Sequence, residues 1–224
     1  MAETKATIEK KRKVADTHPA VAAMIYAVAL LLLALPVYEW LRNAYFFYTQ
    51  TTEYLILTLY LPARLFALVG LVLMFYQFVL GIRIPAFERV FSRVTNLKRH
   101  KTLGKIGFVL ILLHGLLLMT FDYVNAGQLL FDVYRILGMS ALTLLLIAVI
   151  AAWYFKPLKL SRKTWKGIHL LAYVVFPVGF IHGRGLGASF RSGTWTVNAL
   201  FSALFAIYVL LVVFRLYTYA RDGK

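Results

Sequence analysis

Apolar stretches of about twenty residues or more recur six times along this chain of 224 residues, with polar connections between them. A helix needs about 20 apolar residues to cross the roughly 30 Å hydrocarbon core of a bilayer. With 61% hydrophobic and 15% charged residues, the composition is that of a protein for which lipid is the solvent. Lipid offers backbone amides no hydrogen-bond partner, and the strand alternation of a barrel is missing. We therefore expect an all-α integral membrane protein.

The predicted architecture is a six-transmembrane-helix bundle with both termini cytoplasmic. Its spans are expected near residues 20 to 41, 54 to 82, 102 to 122, 131 to 155, 165 to 184 and 194 to 219. Residues 1–19 are interpreted as a cytoplasmic N-terminal tail, residues 20–219 as one transmembrane domain, and residues 220–224 as a short cytoplasmic C-terminal tail.

The distribution of lysine and arginine predicts this orientation, because positive residues near helix ends remain in the cytoplasm. Of the 25 such residues, 20 fall on the side of the two termini. The opposite side has only five: Arg42, Arg64, Arg135, Arg184 and Arg191. The net charge of +16 is thus explained as a topology signal, and no nucleic-acid partner is expected.

Four of the five histidines fall in two membrane segments, and this concentration is the main functional clue. His100 and His114 belong to the third segment, and His169 and His182 belong to the fifth. An imidazole inside a span is costly, so it indicates a functional site with a partner on another helix. The chain has no cysteine, which excludes iron–sulfur clusters and covalently attached c-type haem.

The spacing predicts that these histidines pair at two depths. Fourteen residues of helix rise about 21 Å and thirteen rise about 20 Å, so His100 would meet His169 and His114 would meet His182. Fourteen residues also return an ideal helix to within about 40° of the same face, whereas thirteen leave a mismatch of about 140°. We therefore expect the fifth segment to be rewound, with Pro177 as the candidate cause.

Neutral imidazole is a good iron ligand, and two of them on opposite faces give a six-coordinate b-type haem suited to electron transfer. The sequence thus predicts two b-type haems (iron), with the four histidines as metal ligands. Two other interpretations stay open. In one, the histidines only bridge helices of a non-redox membrane scaffold. In the other, the chain is a quinol-linked cytochrome b subunit of a respiratory complex.

The four histidines and their spacing resemble those of a known family, the ferric reductase-like transmembrane domain. It includes ferric reductases, NADPH oxidases and the bacterial haem-binding subunit of the periplasmic methionine sulfoxide reductase system. The resemblance rests on His100, Gly104 and His114, and on the run TWKGIHLLAYVVFPVGFIHG. With all four histidines present, the ligand set is closer to the two-haem reductases and oxidases.

The resemblance implies a di-haem cytochrome b that carries electrons outward, as the membrane subunit of an oxidoreductase. No G-x-G-x-x-G nucleotide-binding unit is present, so we expect the flavin and nicotinamide module on another chain. The implied partners are a cytoplasmic flavoprotein or a ferredoxin- or flavodoxin-like donor, and an extracytoplasmic acceptor protein or small molecule. We expect the chain to reside in a bacterial inner membrane.

Four further residues are predicted to contact the haems. Arg64 and Arg184 are candidates for the outer propionates, and the alternative for Arg64 is a snorkelling anchor at the headgroups. Gly104 would let a flat macrocycle approach the backbone, although small residues also pack plain helices together. Phe176 lies between the two ligand levels, where ordinary core packing is the competing explanation. No catalytic residue is assigned.

Basic residues surround the expected inner haem level, and they are candidates for propionate pairing or for binding an acidic donor protein. The alternative is that they serve topology alone. These residues are Arg99, Lys101, Lys105, Lys163 and Lys166.

Overall fold

The computed structural model describes residues 19–50, 52–82, 84–191 and 195–222, and in these ranges all regular structure is helical. In chain order the helices are α1 (Pro19–Gln50), α2 (Leu61–Gly81), α3 (Pro85–Val90), α4 (Arg93–Ala126), α5 (Val133–Trp153), α6 (Arg162–His169), α7 (Ala172–Leu186), α8 (Ala188–Arg191) and α9 (Trp195–Asp222). A π-helical turn, Ile56–Tyr60, leads into α2, and α6 and α7 together form the fifth span.

Among the described residues, six helical spans are long and apolar enough to cross a membrane, as the predicted all-α, six-span architecture requires. Most of the predicted N-terminal tail (residues 1–18, with His18) and the last two residues of the C-terminal tail lie outside the described ranges.

Some helices extend beyond the predicted apolar cores, whereas α5 is shorter than predicted. α1 continues to Gln50, and α4 begins at Arg93 rather than near residue 102. Ser92 caps α4 by accepting a hydrogen bond from the Thr95 N–H, and Gly127 ends it in the left-handed conformation at φ 68°. Hydropathy marks only the lipid-embedded part of a helix, so capped polar ends escape it.

Two glycines allow α2 and α4 to pack closely. A Cβ at Gly70 would lie 2.7 Å from Ile111 Cγ1, and a Cβ at Gly107 would lie 3.2 Å from Leu73 Cβ. Small residues at a membrane helix interface let the two backbones approach, since lipid supplies no hydrophobic force between helices. This close pair fixes the helix that carries His100 and His114.

An aromatic cluster joins α2, α7 and α9. Phe176 is 1% exposed, and its ring centroid lies 5.5 Å from that of Phe78 and 4.9 Å from that of Tyr208. Phe201 of α9 is buried to the same extent in the same core. Phe176 therefore packs in the core, and its contact with a haem stays a prediction.

The fifth span is interrupted directly after His169, and not at Pro177 as expected. The N–H groups of Leu171, Tyr173 and Val174 bond the carbonyl oxygens three residues earlier at 2.9–3.0 Å. Such 3₁₀-type winding turns the chain by about 120° per residue instead of about 100°. A few residues wound in this way recover much of the angular mismatch between the two histidines.

Helix α7 continues through Pro177, because another side chain replaces the hydrogen bond that proline cannot make. The missing N–H would have bonded the carbonyl of Tyr173, four residues earlier. The hydroxyl of Tyr208 on α9 donates to that carbonyl. Pro177 thus creates a free acceptor that ties the fifth span to the sixth.

Candidate functional site

The four predicted histidines form two facing pairs. The imidazole centroids of His100 and His169 are 6.0 Å apart, with 72° between the ring planes. Those of His114 and His182 are 6.2 Å apart, with 68° between the planes. Because the pairs occur in the same order along both segments, the third and fifth spans run parallel. The pairing predicted from spacing is therefore present in the fold.

Both separations suit two imidazoles that share one metal ion. A metal–imidazole bond is about 2.0–2.1 Å long and a ring nitrogen lies about 1 Å from its ring centre, so opposed ligands have centroids about 6 Å apart. Within the described ranges no group of three or more His, Cys, Asp or Glu side chains is placed to hold a metal. A bare metal ion prefers more protein ligands, whereas haem iron needs only two axial ones. The donor set fits haem.

Backbone carbonyls orient both rings of the pair His114 and His182, which we call the outer pair. His114 Nδ1 donates to the carbonyl of Ala63 at 3.0 Å, and His182 Nδ1 donates to that of Tyr134 at 2.7 Å. A carbonyl only accepts, so each Nδ1 carries the proton and each Nε2 keeps its lone pair. This is the usual support of a metal-binding histidine.

Gly138 of α5 provides the space for the His182 ring. A Cβ built at Gly138 would lie 2.6 Å from both Nδ1 and Cε1 of that imidazole, a distance that real Cβ atoms do not reach. Helix α5 therefore both bonds the Nδ1 edge of the ring, at Tyr134, and leaves room for that edge, at Gly138.

A cavity of about 520 Å³ adjoins the outer pair, between α2, α4, α5 and α7. Its lining includes both imidazoles of that pair, three charged side chains and several glycines; the charged side chains are Arg64, Asp122 and Arg135. Phe176 also reaches this lining, so its ring borders both the core and the cavity. A flat, mostly apolar group with charged substituents matches such a cavity.

Arg64 is a buried cation at this cavity. Its residue exposure is 7%, and Nη2 donates to Ser189 Oγ at 2.8 Å. The guanidinium carbon lies 5.6 Å from the centre of the Tyr60 ring. Nε has no hydrogen-bond partner, and no carboxylate among the described residues forms an ion pair with Arg64. Burial without an anion is costly, so the site suits an anionic ligand group.

Arg135 was not predicted as a site residue, and it joins the ends of α4 and α5 at the cavity. Its Nε donates to Asp122 Oδ2 at 2.9 Å, and Nη1 pairs with Asp132. The backbone N–H of Arg135, its guanidinium and the N–H of Tyr134 hold the pKa of the exposed Asp132 carboxyl below its usual range. Asp132 is the N-cap of α5, and this cap positions the Tyr134 carbonyl that holds His182.

The pair His100 and His169, which we call the inner pair, has different surroundings. The buried Nδ1 atoms of both rings have no hydrogen-bond partner of ordinary geometry in the described part of the chain. The indole of Trp165 stacks on His169, with centroids 5.6 Å apart and 14° between the planes. Gly81, at the end of α2, lies beside His100.

The other predicted contacts have separate outcomes. A Cβ at Gly104 would lie 3.0 Å from Gln77 Oε1, so this glycine accommodates a side chain of α2. Arg184 donates to Ser202 Oγ at 3.1 Å and lies over Phe180, away from the cavity lining. Of the basic inner residues, Arg99 packs on the rings of Tyr26 and Phe91. For Gly104 and Arg184 a haem contact stays a prediction.

Several site residues escaped sequence analysis. Gly138 makes space for a ring, and the carbonyls of Ala63 and Tyr134 accept hydrogen bonds from histidines. The type of a residue in the sequence does not reveal either role. Trp165 did carry a signal, because it precedes His169 by four residues and thus shares its helix face.

Comparison with known proteins agrees with this architecture. Residues 66–180, just over half of the chain, match the family described as ferric reductase like transmembrane component. The match contains three of the four histidines and ends two residues before His182. No curated protein matches the chain. The family supports a bilayer environment and a role in membrane electron transfer. With its six spans and this match, the chain belongs to the ferric reductase-like transmembrane family.

Proposed function

We propose that this protein is a di-haem b-type cytochrome that moves electrons across the membrane, from a cytoplasmic donor to an extracytoplasmic acceptor. The carrying observation is the two facing histidine pairs, with ring centroids 6.0 and 6.2 Å apart. Haem held between two histidines supplies one-electron redox chemistry and leaves no open coordination site.

The residues of the outer site have distinct tasks in this proposal. His114 and His182 would hold iron through Nε2, because their Nδ1 protons are engaged by carbonyls. Arg64 would bind a propionate through its unpartnered Nε and balance part of the propionate charge. Most of the cavity lining is apolar, and the low local dielectric this gives would strengthen both interactions.

His100 and His169 hold the second haem near the cytoplasmic surface. The direction follows from topology: the basic connections and both termini are assigned to the cytoplasm, as in a bacterial inner membrane. The donor is a reduced flavin carried by a partner flavoprotein, or a ferredoxin- or flavodoxin-like protein, whose acidic surface binds the inner basic residues. The acceptor is a protein or small molecule outside.

The deciding experiment combines haem content with vectorial transfer. Purified protein should contain two haems per chain and give a reduced low-spin b-type spectrum. In vesicles of known orientation, an impermeant reductant at the cytoplasmic face should reduce an impermeant ferric chelate on the other side. A colourless preparation contradicts the proposal outright, and transfer only in the reverse orientation contradicts the assigned direction.

A further inference from the structure

Trp165 occupies a place in the inner site that the histidine pattern does not explain. It lies one helical turn before His169 on α6, so both side chains share a face. Its indole stacks on the imidazole at 5.6 Å and 14°, and the ring of Phe155 meets it at 5.9 Å and 66°. The indole is therefore in contact with rings of two segments, one of them a predicted iron ligand.

The indole nitrogen of Trp165 is buried and has no hydrogen-bond partner in the described residues. Indole N–H is only a donor, and a buried tryptophan normally finds an acceptor for it. Leaving such a buried donor unpaired costs free energy. The position is adjacent to His169, whose own Nδ1 is also unpartnered. Among the described residues, the indole N–H of Trp165 therefore remains available to donate to a ligand of this site.

An anionic oxygen is the acceptor that best suits the basic surroundings of Trp165. The carboxylates of Glu39, Asp122 and Asp132 pair with arginines outside the inner site. Basic side chains predominate instead along α6, which contains Arg162, Lys163 and Lys166 but no acidic residue. A carboxylate brought by a ligand suits this environment, and haem has two.

On the basis of the proposed function, we infer that Trp165 is a positioning residue of the inner haem site. Its ring fixes the orientation of the His169 imidazole, and its N–H donates to a propionate carboxylate of the inner haem. The outer site assigns the corresponding tasks to different groups: a backbone carbonyl orients His182, and Arg64 provides the donor.

Two substitutions separate the two tasks. Trp165→Phe keeps an aromatic ring for stacking but removes the N–H. We expect it to bind two haems per chain and to lower the midpoint potential of one, because a less compensated carboxylate favours ferric iron. Trp165→Leu removes the ring, and we expect haem content to fall from about two towards one per chain. The haem that Trp165→Leu loses should be the same haem that His169→Ala removes.

Trp153→Phe and Trp153→Leu are matched controls, since this tryptophan is 48% exposed at the end of α5 and packs only on Phe108 among the described rings. Both should keep two haems with unchanged potentials. If both haems of Trp165→Phe keep their wild-type midpoint potentials, the proposed hydrogen bond to a propionate is wrong. If Trp165→Leu keeps two haems per chain, the proposed orienting role of the ring is wrong. These results differ from failure of the proposed function, in which the wild-type protein itself lacks haem.

Discussion

The imidazole of His182 occupies the space that a side chain at position 138 would need: a Cβ on Gly138 would lie 2.6 Å from His182 Nδ1. The ring cannot retreat freely, because Nδ1 donates to the Tyr134 carbonyl at 2.7 Å. One helix therefore contributes both the acceptor that holds the ring and the gap that admits it.

Gly138→Ala should displace the His182 ring and reduce haem content to about one per chain. Alanine is favoured over glycine in a helix by about 1 kcal/mol, so loss of haem would not reflect a weakened α5. Haem-to-protein ratio and the reduced spectrum are the measurements. Gly167→Ala is the control, since a Cβ there has nothing within 4 Å. Full haem content in Gly138→Ala would show that the ring is not a ligand in this position.

Substituting one inner histidine should remove one haem only. For His100→Ala and for His169→Ala we expect about one haem per chain, a retained outer signal and no transfer across vesicles, because each iron depends on its own pair. Haem content is measured at matched protein yield. Equal loss of both haems from correctly folded protein contradicts separate sites.

Removing the buried charge of Arg64 should lower the midpoint potential of the outer haem. A nearby cation favours ferrous over ferric iron, so Arg64→Gln takes that preference away. A redox titration followed in the visible spectrum measures the shift. Arg184→Gln is the comparison: its guanidinium binds Ser202 and lies outside the cavity lining, so its shift should be smaller. The opposite order would assign the propionate to Arg184.

Tyr208→Phe should lower the free energy of unfolding by about 1–3 kcal/mol, because it leaves the carbonyl of Tyr173 without a donor. Unfolding in mixed detergent measures this change. Pro177→Ala supplies the missing backbone N–H, so the same substitution should cost less in that background. If Tyr208→Phe lowered the free energy of unfolding equally in the wild-type and Pro177→Ala backgrounds, the tyrosine hydrogen bond would not compensate for the proline. Tyr219→Phe, at a 61% exposed residue, serves as the neutral control.

Composition and spacing were enough to predict the six spans and the pairing of histidines, because both follow from bilayer thickness and helix rise. The cause of the rewound segment was predicted wrongly. Proline is a visible helix breaker, whereas the tight turn after His169 is a property of the backbone that no single residue type announces.

The supporting residues were harder to predict for a different reason. Arg64 was found because a lone charge near a span is conspicuous, and the structure buries it at the cavity. Arg135 has the same charge, but only the fold shows that Asp122 and Asp132 hold it at the same rim. Contacts between distant segments depend on helix rotation, which hydropathy does not report.

The turn at Leu170 and Leu171 also makes the fifth span mechanically divisible. His169 is the last residue of α6, which has eight residues, and His182 belongs to α7, which has fifteen. We expect substitutions in α6 to tilt the His169 imidazole, while the aromatic cluster around Phe176 keeps α7 in place. We therefore expect the ligand geometry at one membrane face to change with little effect on the geometry at the other, which an uninterrupted helix would not permit.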